Sequence, residues 1–227
     1  MNKSTIFAFL ALLIASMACN LVNQITNGSG TKSENVLFKD DFSDTNSGWD
    51  KTRDSEGITD YDNNAYRIQI NTIGESSNGM SYWASPGLDS QMPADLRIEV
   101  DATKAGGADD NDFGVICRYT SANDNPSFYQ FMGTSDGYVG IVLVNGGDQK
   151  MISSEKLQPS DSVKQGDATN HMRADCIGDT LTLYINGTKV ASATDSTLKS
   201  GDVGLIAGTY STPGTDILFD NFVVSKP

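Results

Sequence analysis

Glu99 and Asp101 stand two residues apart in the run ADLRIEVDATKAGG. Paired carboxylates are the groups from which glycoside hydrolysis is built, one ionised and one protonated, about 5 to 5.5 Å apart in enzymes that retain configuration. Same-face neighbours on a strand lie about 7 Å apart at about 3.4 Å rise per residue, and side-chain rotation could draw them closer. The alternation also has a plainer meaning. Leu96, Ile98, Val100 and Ala102 fall on the opposite face, so Arg97, Glu99 and Asp101 read as the solvated side of a half-buried strand, with Arg118 on a neighbouring strand as ionic partner. Nothing flanking the pair in sequence would raise one pKa, and the strand-face reading is the stronger.

Other chemistry is sparse. The single histidine, His171, reads as solvated or structural, and no nucleophile elbow, phosphate-binding glycine loop or zinc spacing occurs. The loop GGADDNDFG gathers Asp109, Asp110, Asn111 and Asp112 without the full spacing of a calcium motif, and a solvated hairpin tip is expected there. The aromatic residues Trp49, Tyr82, Trp83, Tyr119, Phe128, Tyr129, Tyr138 and Tyr210 are the main binding chemistry, because sugar rings stack on such faces while Asn and Asp bond hydroxyls. Adjacent residues on a strand face opposite ways, so one of Tyr82 and Trp83, and one of Phe128 and Tyr129, belongs to the core. Tyr82, Tyr119 and Tyr138 are the candidate ligand-binding aromatics, with core packing as the alternative.

The elements that would position these groups are strands. AYRIQI, GMSYWAS, DLRIEVDAT, FGVICRYTS, SFYQFMG, GYVGIVLV and TDILFDNFVV alternate or run β-branched and aromatic between turn residues, and almost nothing has helical periodicity. TLTLYINGTKVASAT reads as a hairpin with Leu181, Leu183 and Ile185 on one face and a two-residue turn at Asn186 and Gly187. A dozen or so short strands without helices predict an all-β sandwich or barrel. Cys117 and Cys176 both lie in strand-like runs and read as a disulfide in an exported protein, or else as two buried thiols.

The 227-residue chain carries 16 Lys and Arg against 29 Asp and Glu, a net charge of -13. That balance argues against nucleic acid and against electrostatic attachment to anionic lipid. Residues 1–18 read as an export signal, with Lys3 ahead of an apolar run from Ile6 to Ile14 too short to span a bilayer. ASMAC at 15–19 resembles a bacterial lipobox, with Ser16 where Leu is usual. The resemblance implies lipidation of Cys19 and anchoring to the outer face of a cell-envelope membrane, the only membrane contact expected. Residues 19–34, rich in Asn, Ser, Thr and Gly, read as a flexible tether with a typical span of about 20 Å, leaving 35–227 as one domain.

LFKDDFSDTNSGW, LTLYINGTKVA and GDVGLIAGTYSTPGTDILFDNFVV resemble the concanavalin A-like lectin/glucanase superfamily, closest to bacterial lipoprotein and 3-keto-disaccharide hydrolase-like branches. The resemblance covers essentially residues 36–225 and implies a two-sheet antiparallel jelly-roll sandwich whose first and last strands pair. It also implies a structural calcium near those strands, at Asp41 and Asp220. In the related family 16 glycoside hydrolases Glu, Asp and Glu alternate along a strand; here Glu99 and Asp101 are followed by Thr103, and the third carboxylate is missing. The fold hosts several functions. The expected one is a non-catalytic, surface-anchored lectin-like module that binds carbohydrate or mediates adhesion, including to another envelope protein. The alternatives are a glycoside hydrolase-like enzyme and a structural lipoprotein without a small ligand.

Overall fold

The structure is a computed structural model and describes residues 35–73, 80–88, 92–123, 125–210 and 212–227. The export signal, the tether and Cys19 lie outside the described residues. Within them the chain runs β1 (Val36–Asp40), β2 (Thr52–Arg53), β3 (Gly57–Asp62), β4 (Ala65–Ile70) and β5 (Met80–Ala84). It continues as β6 (Leu96–Gly106), β7 (Asp112–Ala122), β8 (Asn125–Thr134), β9 (Tyr138–Asn145), β10 (Asp148–Met151) and β11 (Gln158–Pro159). The last strands are β12 (Thr169–Ile177), β13 (Thr180–Ile185), β14 (Thr188–Thr194), β15 (Asp202–Thr209) and β16 (Thr215–Ser225). No helix occurs among the described residues.

These strands form two sheets in which every pairing is antiparallel. The nine-stranded sheet has the order β14-β13-β12-β6-β16-β4-β3-β2, with β1 also on β16. The seven-stranded sheet has the order β10-β9-β8-β7-β15-β5, with β11 also on β9. The first and last strands therefore pair, as the sequence predicts. The hairpin turn is also where expected: Asn186 and Gly187 link β13 to β14 with φ of 50° and 83°, the left-handed pair that matches strand twist.

Period-two patterning builds the core. Along β6 burial alternates strictly from Leu96 to Ala102, and its inward residues pack with Ile68, Phe219, Val115, Phe131 and Leu205 from both sheets. Burying each such side chain stabilises by roughly 1.5–3 kcal/mol. Cys117 on β7 and Cys176 on β12 form a disulfide across this core, 2.05 Å between sulfurs, so the sheets are joined covalently; such a closure contributes about 2–4 kcal/mol.

Arg118 corrects the sequence reading. Its strand, β7, lies in the seven-stranded sheet while Glu99 and Asp101 lie on β6 in the other, and a bulge between Cys117 and Thr120 puts Arg118 at a left-handed φ of 56°. The guanidinium is 2 % exposed and donates to the carbonyls of Leu198 at 2.8 Å, Gly178 at 2.7 Å and Ala94 at 3.2 Å. It ties three loops together where a strand partner was expected.

Candidate functional site

The outer face of the nine-stranded sheet holds Glu99 and Asp101. Their partner is His171, which faces Asp101 across the β6–β12 ladder. His171 Nδ1 lies 2.8 Å from Asp101 and Nε2 lies 3.6 Å from Glu99, while Asn221 donates to Asp101 at 3.0 Å. Beside them Asp175 accepts from Arg97 at 2.8 Å and from Arg173 at 2.5 Å. Burial pushes the Asp175 carboxyl up, but the two guanidinium hydrogen bonds outweigh it and hold the group below its ordinary value. Further along, Arg67 bridges Asp62 and Asp216. The charges of this face are satisfied by one another.

The outer face of the seven-stranded sheet is built differently. Most residues that alternate away from the core on β7, β8, β9 and β15 are apolar, so Ile116, Phe128, Met132, Val142, Val144 and Ile206 form a second buried cluster under Tyr119, Met151 and Leu157. Trp83, Tyr119 and Phe128 make an aromatic group with centroids 6.1–6.3 Å apart, and Trp83 keeps 37 % of its surface exposed. Tyr82 is thus the inward member of its pair: it packs against the main core and donates to Asp54 at 2.9 Å. Trp83 is the aromatic that faces out. Tyr119 sits half-buried in the aromatic group and Tyr138 is 40 % exposed.

At the other end of this face lies Asp112, where a solvated loop was expected. It is 3 % exposed, as is Asn111. Gln130 Nε2 donates to Asp112 Oδ2 at 2.6 Å, and Tyr210 bonds the carboxylate from the side. Asn111 sets that tyrosine by accepting from its backbone N–H at 3.1 Å and donating to the Thr212 carbonyl at 3.3 Å. Gly208 is required opposite: a Cβ there would fall 2.2 Å from Asp112 Oδ1. Burial pushes the Asp112 carboxyl up to about 6 against the smaller opposing effects of Tyr210 and Gln130. The same burial, with the neighbouring carboxylate, raises Tyr210. A cavity of about 160 Å3 opens here, lined by Asp112, Gln130 and Tyr210 with Ser81, Gln149, Lys150 and Thr209 among others. Hydroxyl, amide and carboxylate groups converging beside the Tyr210 ring and the apolar Met132, Val142 and Met151 can orient a polar ligand that carries an apolar face.

The strand ends expected to hold calcium are adjacent in the fold, since Asp40 pairs with Phe222. Asp41 accepts from the backbone and hydroxyl of Ser43, and Asp220 from the backbone of Asn221. Among the described residues no three His, Cys, Asp or Glu side chains cluster as metal donors. A calcium ion there would need backbone carbonyls and water to complete six to eight oxygens.

No family model and no curated protein matches the sequence. Solved structures do match. Carbohydrate-binding module CBM66 from Bacillus subtilis aligns with TM-score 0.55 and 19 % identity over 79 % of this chain and 96 % of that one. A protein of unknown function with a galectin-like fold from Bacillus subtilis aligns with TM-score 0.59 and 10 % identity over 86 % and 97 %. A β-glucanase from Bacillus licheniformis aligns with TM-score 0.56 and 14 % identity over 84 % and 97 %. The fold is a concanavalin A-like sandwich. Of the candidate ligand-binding aromatics, Tyr119 and Tyr138 lie on the outer face of the seven-stranded sheet, and Tyr82 does not. The sequence does not single out Gln130, assigns Asp112 to a solvated loop and names Trp83 without a side of the strand, because what exposes or buries them is how the strands pair.

Proposed function

We propose that the protein is a non-catalytic carbohydrate-binding module, held at the outer face of a cell-envelope membrane through lipidated Cys19, and that sugar binds on the outer face of the seven-stranded sheet. Asp112 carries the reading. It is a buried carboxylate hydrogen-bonded by neutral groups, Gln130 and Tyr210, in a cavity that Tyr210 also lines, and ligand hydroxyls are suitable further donors to it. The neighbouring structures support the same direction, one being titled a carbohydrate-binding module and another a β-glucanase. A hydrolase reading draws on the elevated Asp112 pKa, the property of a general acid. It lacks support in the second group required, because Asp112 is the sole carboxylate among the described residues lining that cavity, and glycoside hydrolysis ordinarily uses two.

The test is a glycan-array screen of the full-length protein, run with calcium and again with chelator. Selective binding that is lost in Asp112→Asn is the expected result, and loss with chelator would tie calcium at Asp41 and Asp220 to the fold or the site. A blank array from demonstrably folded protein overturns the carbohydrate reading and favours a protein-facing or structural role. Intact mass of the membrane-extracted protein tests the anchor: a diacylglyceryl adduct on Cys19 is expected, and an unmodified thiol would sink it.

A further inference from the structure

The cavity at Asp112 does not stand alone. A second depression of about 380 Å3 adjoins it, lined by Asp110, Thr134, Asp136, Tyr138, Lys156 and Leu157, and Tyr210 belongs to both. The two differ in character. The Asp112 compartment, about 160 Å3, is well under the roughly 300–1,000 Å3 of pockets that enclose drug-sized ligands, and it suits one ring. The second is larger and more open, and it carries two aromatic side chains with much free surface, Tyr138 at 40 % and Tyr210 at 38 % exposure.

Its walls are locally fixed. Thr134 bonds Asp136, and the Tyr138 backbone N–H donates to the Thr134 hydroxyl at 3.0 Å. Ser160 donates through its backbone to Gly137 at 2.8 Å, and Gln165 to the Asp136 carbonyl at 3.0 Å. Together these contacts hold the Asp136–Tyr138 turn in place. Asp110, Asp136 and Lys156 then offer both acceptors and a donor to hydroxyls at the rim, the division of labour expected of a sugar subsite.

We propose that these compartments are successive subsites divided by Tyr210, so that the ligand is an oligosaccharide of at least two units rather than a monosaccharide. One unit occupies the Asp112 cavity and the next stacks on Tyr138. The inference rests on the carbohydrate reading above and adds the ligand's length and the residues that read it.

The test is calorimetric titration of the full-length protein with one-, two- and three-unit series of β-gluco-, manno-, galacto- and fructo-oligosaccharides. In the series that binds, the two-unit ligand is expected to bind about five- to tenfold tighter than the one-unit ligand, the equivalent of one added ring contact. Tyr138→Ala, an exposed position whose loss leaves the core intact, is expected to bring that ratio to about one, and Lys156→Ala to lower it in part. Equal affinity for one and two units, or a ratio that survives Tyr138→Ala, overturns the two-subsite proposal while leaving carbohydrate binding in place. Failure of all four series in folded protein removes the carbohydrate reading and this proposal with it.

Discussion

The two outer faces of the sandwich start from the same backbone pattern and reach opposite solutions. On the nine-stranded sheet many outward positions are charged, and most of these acids meet a basic side chain: Asp175 with Arg97 and Arg173, Asp216 with Arg67, Asp101 and Glu99 with His171. On the seven-stranded sheet they are apolar or aromatic, with the Asp112 carboxylate set among neutral donors. Two aspartates, both nearly buried, are consequently pushed in opposite directions, Asp175 below its ordinary value and Asp112 up to about 6. Burial pushes both up, Asp112 further. The guanidinium partners make the difference, and a carboxylate without them is the one available to a ligand.

The comparison breaks most readily at Asp175. Asp175→Ala leaves two arginines facing each other and is expected to cost about 3 kcal/mol in urea unfolding at pH 7. Because the native carboxyl titrates below its ordinary 3.8, the contribution is present above that pH and is lost as pH falls through the native value, so variant and wild type should converge in acid. Asp112→Asn should do the reverse. The native carboxyl titrates near 6 against an ordinary 3.8, so its ionised form is penalised above pH 6 and the penalty fades below pH 4. The variant is expected to gain about 2 kcal/mol at pH 7.5 and almost nothing at pH 3.5, while glycan binding disappears. Equal effects of the two substitutions at neutral pH would erase the distinction between the faces.

Smaller effects sharpen it. Trp83→Leu keeps apolar cover over Ile206, and since Trp83 lines neither compartment glycan affinity is expected to change less than about twofold; a tenfold fall would move the ligand toward the Trp83 end of the face. Glu99→Gln with Asp101→Asn should change stability by no more than about 0.5 kcal/mol, since the contacts to His171 are solvated. Glycan binding should be unchanged; a hydrolytic activity abolished by this double substitution would return catalysis to the charged face.

What could be read in sequence was what is local. Alternation announces strands, Asn186-Gly187 announces its own turn, and the paired terminal strands follow from the resemblance of their end motifs. Register is another matter. Alternation separates Tyr82 from Trp83 without saying which points inward; that is decided at Gly57, whose missing Cβ leaves room for the Tyr82 ring. The acidic loop looked solvated because nothing nearby reveals that β15 will bring Gly208 opposite Asp112, or that β8 will bring Gln130 beside it. Arg118 misled for a similar reason: β7 follows β6 in sequence but joins the opposite sheet.

The disulfide has a mechanical consequence. Cys117 lies two residues before Tyr119 on the strand that supplies this tyrosine to the aromatic group, and its sulfur is bonded to Cys176 in the opposite sheet. Tension applied to a ligand seated on β7 therefore passes through a covalent link into β12, and the sheets cannot be pulled apart at that point by sliding side chains past one another.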